Sequence, residues 1–193
     1  FVAQRAGMEY VGPFTFNGIR FALGSLSLLP LFIVNQKRKS KLAFKTSSPF
    51  ILGGGVLGIV LFLAASLQQI GMQFTTAANG GFITSLYVIL VPIFAVFIGH
   101  KIKLNIWLGA ILATIGLYFL SAHGNLHLNW GDTLVLMSAV FWAIHVMLIS
   151  YFAPRYSIIS LSILQFAATS ILSLITAIIF EEIHWQNILD AAV

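Results

Sequence analysis

With 193 residues, 59% of them hydrophobic and only 8% charged, the chain carries about a third of the roughly 25% charge typical of a soluble domain. Mean hydropathy is +0.98, and no polar surface is available to wrap a core, which excludes a water-soluble enzyme, a disordered segment and a nucleic-acid-binding domain. The absence of cysteine removes disulfide frameworks, thiolate metal sites and Cys nucleophiles. An integral, all-α membrane protein remains, a polytopic transmembrane helix bundle with the lipid bilayer as its first partner.

A helix needs about 20 predominantly apolar residues to cross the hydrocarbon core. The segment Phe1–Val11 reads as the last turns of an earlier span and lacks the basic start and apolar run of a secretory signal. Six stretches of sufficient length follow: Pro13–Val34, Ile51–Met72, Ala77–Gly99, Leu104–Ala122, Leu134–Phe152 and Ile158–Phe180. Residues from Trp185 onward read as the lip of a further span. The chain starts at Phe1 and stops at Val193 without a basic tail, so it is expected to be a piece of a longer polytopic protein. The short turns between spans imply antiparallel neighbours.

Basic residues orient the bundle. Lys37, Arg38, Lys39, Lys41 and Lys45 follow the first of these spans, Lys101 and Lys103 come two connectors later, and Arg155 two further on. Eight of the ten basic residues thus share one face, which the positive-inside rule assigns to the cytoplasm. Glu9, Asp132, Glu181 and Glu182 are expected on the other face, with all five acidic residues at or outside span ends. Trp107, Trp130 and Trp185 fall near span ends, where aromatic belts form.

A shift of 145 residues lays Ile19-Arg20-Phe21-Ala22 over Leu164-Gln165-Phe166-Ala167 and pairs Asn17 with Ser162, Gly24 with Thr169 and Ser25 with Ser170. Asn17, Arg20, Gly24 and Ser27 recur at steps of three and four, and so do Ser162, Gln165, Thr169, Ser173 and Thr176. Five spans separate the equivalent helices, so the second copy inserts upside down, an inverted-topology plan with its solute site near the midplane. Two copies of that period would run to about 290 residues.

Within this plan several side chains are candidates for a solute cavity. Arg20 lies about 12 Å along its helix at 1.5 Å per residue; it either meets an anionic solute or snorkels to the interface. Asn17 sits one turn earlier. His145 shares a face with Ser138 and Trp142 and is either a hydrogen-bonded structural residue or a proton carrier. Gln68, Gln69 and Gln73 cluster at the outer end of their span, while Thr76, Gly80, Thr84 and Tyr87 line a face of the next. Such groups orient a solute or bond neighbouring helices. Pro92 is expected to kink its span. Gly54 with Gly58, and Gly109 with Ala113 and Gly116, are small-residue stripes expected to let helices approach. His123 and His127 lack a third ligand, so no metal is expected. The absence of a P-loop, HExxH, nucleophile elbow or paired carboxylates argues against an enzyme and against a bound cofactor.

The chain resembles the EamA-type members of the drug/metabolite transporter superfamily. The resemblance rests on Arg20-Phe21-Ala22, Gly71, Thr76-Ala77-Ala78-Asn79-Gly80-Gly81-Phe82-Ile83, Leu90-Val91-Pro92-Ile93-Phe94, Trp107-Leu108-Gly109 with Gly116, Gly131-Asp132, and Ser138-Ala139-Val140-Phe141-Trp142-Ala143. One departure is Gly99-His100, where the family often has Gly-Glu. The resemblance implies ten helices in two five-helix halves, with residues 1–122 as the first repeat and 131–193 as the start of the second. The start of the first helix and the last three helices would be missing. It also implies export of a small-molecule metabolite or drug across the bacterial inner membrane by alternating access. The expected cavity residues are Asn17, Arg20, Gln69, Thr84, Tyr87, Trp142, His145 and Gln165. A membrane scaffold of the same fold that binds another protein is the alternative, and a channel is a third. Solute identity, coupling and oligomeric state are not encoded in these patterns.

Overall fold

In the computed structural model, residues 1–8, 11–38, 48–121 and 129–181 are described. All regular structure among them is helical: α1 (Val2–Gly7), α2 (Pro13–Arg38), α3 (Ser48–Gly71), α4 (Ala77–Ser85), α5 (Tyr87–Phe97), α6 (Leu104–Ser121), α7 (Trp130–Phe152) and α8 (Ile158–Phe180). Five spans are long and apolar enough to cross a membrane: Pro13–Val34, Phe50–Gly71, Ala77–Phe97, Trp130–Phe152 and Ile158–Phe180. The apolar part of α6 that is described, Leu104–Gly116, is shorter. The chain is a polytopic helical membrane protein, as its composition requires. The basic loop 39–47 and the loop 122–128, with His123 and His127, lie outside the described residues, as do Glu9, Glu182 and Trp185.

The chain divides into two compact units. One comprises Phe1–Tyr10 with Leu63–Met147, the other Val11–Phe62 with Leu148–Val193, so α3 and α7 each contribute to both.

In the second unit, α2 and α8 pack along their lengths in opposite directions. Gly18 lies against Leu174 and Gly24 against Phe166, while the rings of Phe21 and Phe166 lie 5.6 Å apart. Two side-chain hydrogen bonds cross the pair: Ser25 Oγ donates to Ile163 O at 3.2 Å and Ser170 Oγ to Gly18 O at 2.8 Å. Adding 145 to 18 and to 25 gives 163 and 170, so the two bonds exchange under the shift that aligns the polar stripes. At one end of the pair, Glu181 follows the last turn of α8 and caps α2. Its carboxylate accepts from Phe14 N at 2.7 Å, Thr15 N at 2.9 Å and Thr15 Oγ1 at 2.6 Å, satisfying amides that a helix start leaves open. A Cβ on Gly12 would lie 2.2 Å from the Glu181 carboxyl carbon, so a side chain here would push the carboxylate from this position.

The first half of α3 packs on α8 through small residues. A Cβ on Gly54 would strike Leu164, and one on Gly58 would sit 2.5 Å from Ala168 Cβ and 3.0 Å from Gln165 O. The Thr169 hydroxyl, also bonded to Gln165 O, reaches Gly58 O at 3.0 Å. Phe50, Leu57 and Leu161 form a buried cluster here with Leu148, Ile149, Phe152, Tyr156 and Leu164 around it. The stripe of Gly109, Ala113 and Gly116 behaves differently: a Cβ on either glycine would meet nothing within 4 Å, so this stripe mediates no close approach among the described residues.

Two further features of the first unit add to the sequence reading. The span containing Pro92 is interrupted at Leu86, between α4 and α5, and the proline lies inside α5. Thr84 Oγ1 and Ser85 Oγ donate to Gly80 O and Gly81 O at 2.7 and 2.6 Å, and such back-bonding bends helices. Pro92 then withholds the N–H that Val88 O would accept. The span ends on Gly99 at φ +86°, with Gly99 N donating to Val96 O and His100 N to Ala95 O, the Schellman closure that a glycine permits. Secondly, α7 begins at Trp130, four residues before the expected span, and Asp132 in its first turn is only 2% exposed. It stands at the span end, as expected, but is buried there. Thr75 Oγ1 donates to it, Asn129 N donates to its Oδ2 at 3.1 Å, and Asp132 N donates to Asn129 Oδ1 at 2.8 Å. This reciprocal cap is completed by Asn129 Nδ2 on Phe74 O at 2.9 Å and by the close passage of Gly131 against Gly71.

Candidate functional site

The expected cavity residues fall into the two units, and each group is described in its own. In the first unit α3 presents two adjacent buried glutamines toward different neighbours. Gln68 Nε2 donates to Thr84 Oγ1 of α4 at 3.0 Å, a bond inside an apolar environment where an unmade one costs about 1–3 kcal/mol. Gln69 is 0% exposed; its Oε1 accepts from Gln4 Nε2 of α1 at 3.2 Å, and its Nε2 lies 3.5 Å from Gln4 O. Gln73 is exposed and belongs to neither pair. Thr76 caps α4 by accepting from Asn79 N at 3.1 Å, a structural task. Tyr87 opens α5 just past the break and is half-buried.

On α7, Ser138 and His145 are buried. The Ser138 hydroxyl donates to Val135 O at 2.6 Å, the usual resting place of a helical serine. Trp142 meets His145 edge-on, with ring centroids 5.9 Å apart at 86°. Its indole Nε1 and the Ser66 hydroxyl of α3 are buried without a hydrogen-bond partner. Buried donors are ordinarily satisfied, so these two remain available to a polar group beyond the described residues.

In the second unit Asn17 is fully buried, and both atoms of its carboxamide lack a partner among the described residues; the Ser173 hydroxyl is in the same condition. The inner flank of α8 carries Gln165, Thr169 and Ser173, all buried, whereas Ser27, at the far end of the α2 stripe, is exposed and bonds to Gly24 O. Arg20 is half-buried, with its guanidinium carbon 4.8 Å from the centroid of Phe21 and 5.7 Å from that of Phe16. It rests on aromatic faces, a stabilising cation–π arrangement. No group of three or more metal-ligating side chains exists among the described residues.

Sequence reasoning missed Gln4, which holds Gln69, and the Thr75–Asp132 and Glu181 caps. The pattern Asn129-x-x-Asp132 ahead of an apolar run was a readable cap signal. Nothing local announces Gln4, Thr75 or Glu181, whose partners lie 57 or more positions away.

These buried carboxamides and hydroxyls inside apolar spans find their family in sequence comparison. Residues 1–122 match the EamA-like transporter family. The chain belongs to that family. It is 33% identical over 175 residues to an uncharacterized transporter of Archaeoglobus fulgidus, covering 90% of this chain and 51% of the relative. It is 30% identical to the uncharacterized transporter YvbV of Bacillus subtilis, covering 94% and 60%, and 24% identical to YoaV of the same organism, covering 94% and 63%. The chain thus spans between half and two thirds of the length of these relatives. No solved structure matches it. The matching family and these relatives are named as transporters, and the chain itself is multi-pass.

Proposed function

We infer that the protein is a secondary transporter that carries small polar solutes out of the cell across the plasma membrane by alternating access, with its basic loops cytoplasmic. The observation that carries this reading is the set of buried carboxamides within apolar spans: Asn17, Gln68, Gln69 and Gln165 are each at most 5% exposed. Intramembrane polar groups are costly to bury and characteristically mark solute paths, even where some of them also bond neighbouring helices. The candidate site residues are Asn17, Arg20 and Gln165 in one unit and Gln69, Thr84, Tyr87, Trp142 and His145 in the other. The exchange of the Ser25 and Ser170 bonds under the 145-residue shift supports an inverted repeat, with residues 1–122 as the first copy and the second opening at 131. Such a repeat suits rocking of two halves around a midplane site.

Counterflow is the test. The full-length protein in proteoliposomes preloaded with a cell metabolite extract should exchange labelled solute with saturable kinetics and accelerate uptake when the same solute waits inside. Non-saturating flux would indicate a channel. No flux of any solute, from protein that remains folded, would favour a scaffold.

A further inference from the structure

Arg20 is a permanent cation within a membrane span, and its company is aromatic. The guanidinium lies over Phe16 and Phe21, and Phe21 is itself held against Phe166 of α8. Among the described residues no carboxylate pairs with Arg20 and no acceptor takes its N–H groups. A ring stabilises the charge but leaves the planar donor fork of the guanidinium unused.

Asn17 is three residues earlier, hence a neighbour on the same flank of α2. It is 0% exposed, and its carboxamide nitrogen and oxygen are unpartnered among the described residues. Two adjacent side chains thus present unused donors, one charged and one neutral, in a span where water is scarce. The chemical group that satisfies both is an oxyanion, which offers only acceptors and matches the guanidinium fork in two parallel bonds. A cationic solute would be repelled by Arg20, and a neutral one would leave the charge unpaired.

We propose that Asn17 and Arg20 form an anion subsite that binds the carboxylate or phosphate of the transported solute, a small organic anion. The rings of Phe16 and Phe21 pre-position the guanidinium, so little side-chain freedom is lost on binding. This assignment rests on the transport reading above and adds the chemical class of the cargo.

Thermal unfolding of the purified full-length protein tests it, with sodium benzoate, inorganic phosphate and benzylammonium chloride as probes at constant ionic strength. Ligand that binds only the folded state raises the melting temperature with its concentration. Benzoate or phosphate should do so saturably and benzylammonium should not; benzoate alone marks a carboxylate site, phosphate alone a phosphate site. Arg20→Gln should abolish the shift, and Asn17→Ala should weaken the apparent affinity about tenfold, the loss of one hydrogen bond to a charged group. If Arg20→Gln fails to fold, Arg20→Lys carries the test, because it keeps the charge, loses the fork and should still weaken benzoate binding.

The proposal is overturned if neither anion stabilises the protein, if benzylammonium stabilises it as well as they do, or if the anion shift survives in Arg20→Gln. Counterflow separates the two readings. Saturable exchange of a neutral solute, indifferent to benzoate and to Arg20→Gln, removes the anion subsite and leaves transport standing. Anion binding by protein that exchanges nothing removes transport and leaves the subsite.

Discussion

The rings of Phe21 and Phe166 touch across the α2–α8 pair with centroids 5.6 Å apart, and each residue is the other's counterpart under the 145-residue shift (166 minus 21). A residue that meets its own counterpart marks the local two-fold of the pair. On either side of it the Ser25 and Ser170 hydroxyls cross in reciprocal fashion.

These two serines should therefore have similar but unequal effects. Interhelical hydrogen bonds in membranes average about 0.6 kcal/mol. Ser25→Ala should lose no more than that, while Ser170→Ala, with the shorter bond from a buried hydroxyl, should lose more. Thermal unfolding of the single and double variants in detergent checks this ranking, and an equal or reversed order would contradict it.

Gly55 and Gly58 are chemically identical and one turn apart, yet they should respond oppositely to alanine. At Gly58 the new methyl would meet Ala168 Cβ at 2.5 Å and the Gln165 carbonyl at 3.0 Å, whereas at Gly55 it meets nothing within 4 Å. Gly58→Ala should destabilise by about 1–3 kcal/mol, the usual cost of overpacking. Gly55→Ala should be neutral or gain up to about 1 kcal/mol from helix propensity. Melting temperatures of the two variants measured side by side decide the matter.

The positive-inside rule predicts that the loop between α2 and α3 is cytoplasmic and that the loop between α6 and α7 faces outward. In this cysteine-free chain, single cysteines at Ser40 and Asn125 report directly. An impermeant thiol reagent applied to intact cells should label Asn125→Cys and spare Ser40→Cys. The opposite pattern would invert the bundle.

Gln165 aligns with Arg20 under the 145-residue shift and is buried on α8. Gln165→Leu should lower apparent solute affinity in counterflow by roughly tenfold, about 1.4 kcal/mol, at unchanged membrane abundance. Wild-type affinity in this variant would remove it from the site.

The spans were legible because length and apolarity alone specify a membrane helix, and Pro13 opens α2 where a proline fits the first turn. The site was legible only in part. Asn17, Gln69 and Gln165 stood out as amides in apolar runs, but whether each had a partner depended on helices far away in sequence. Asp132 illustrates the limit: its place at a span end was readable, but its burial depends on Thr75, 57 positions away, and on the Asn129 cap. The two small-residue stripes looked alike in sequence and differ in the fold, because glycine spacing permits a close approach without naming the helix that makes it. The interruption at Leu86 was not readable from Pro92 alone, since hydroxyls one turn upstream joined the proline in loosening the backbone.

The Glu181 cap has a consequence for how the chain is made. The amides of Phe14 and Thr15 find their acceptor 167 and 166 positions later. At about 5–20 residues per second, a ribosome needs roughly ten to thirty seconds to deliver it. During that interval the first turn of α2 has no carboxylate to close on. Its open N–H groups must be kept wet at the membrane surface or held by the insertion machinery, because bare amides are expensive in hydrocarbon. Thus α2 enters the bilayer early but is sealed at this end only when Glu181 arrives, which makes completion of the pair a late event timed by its most distant contact.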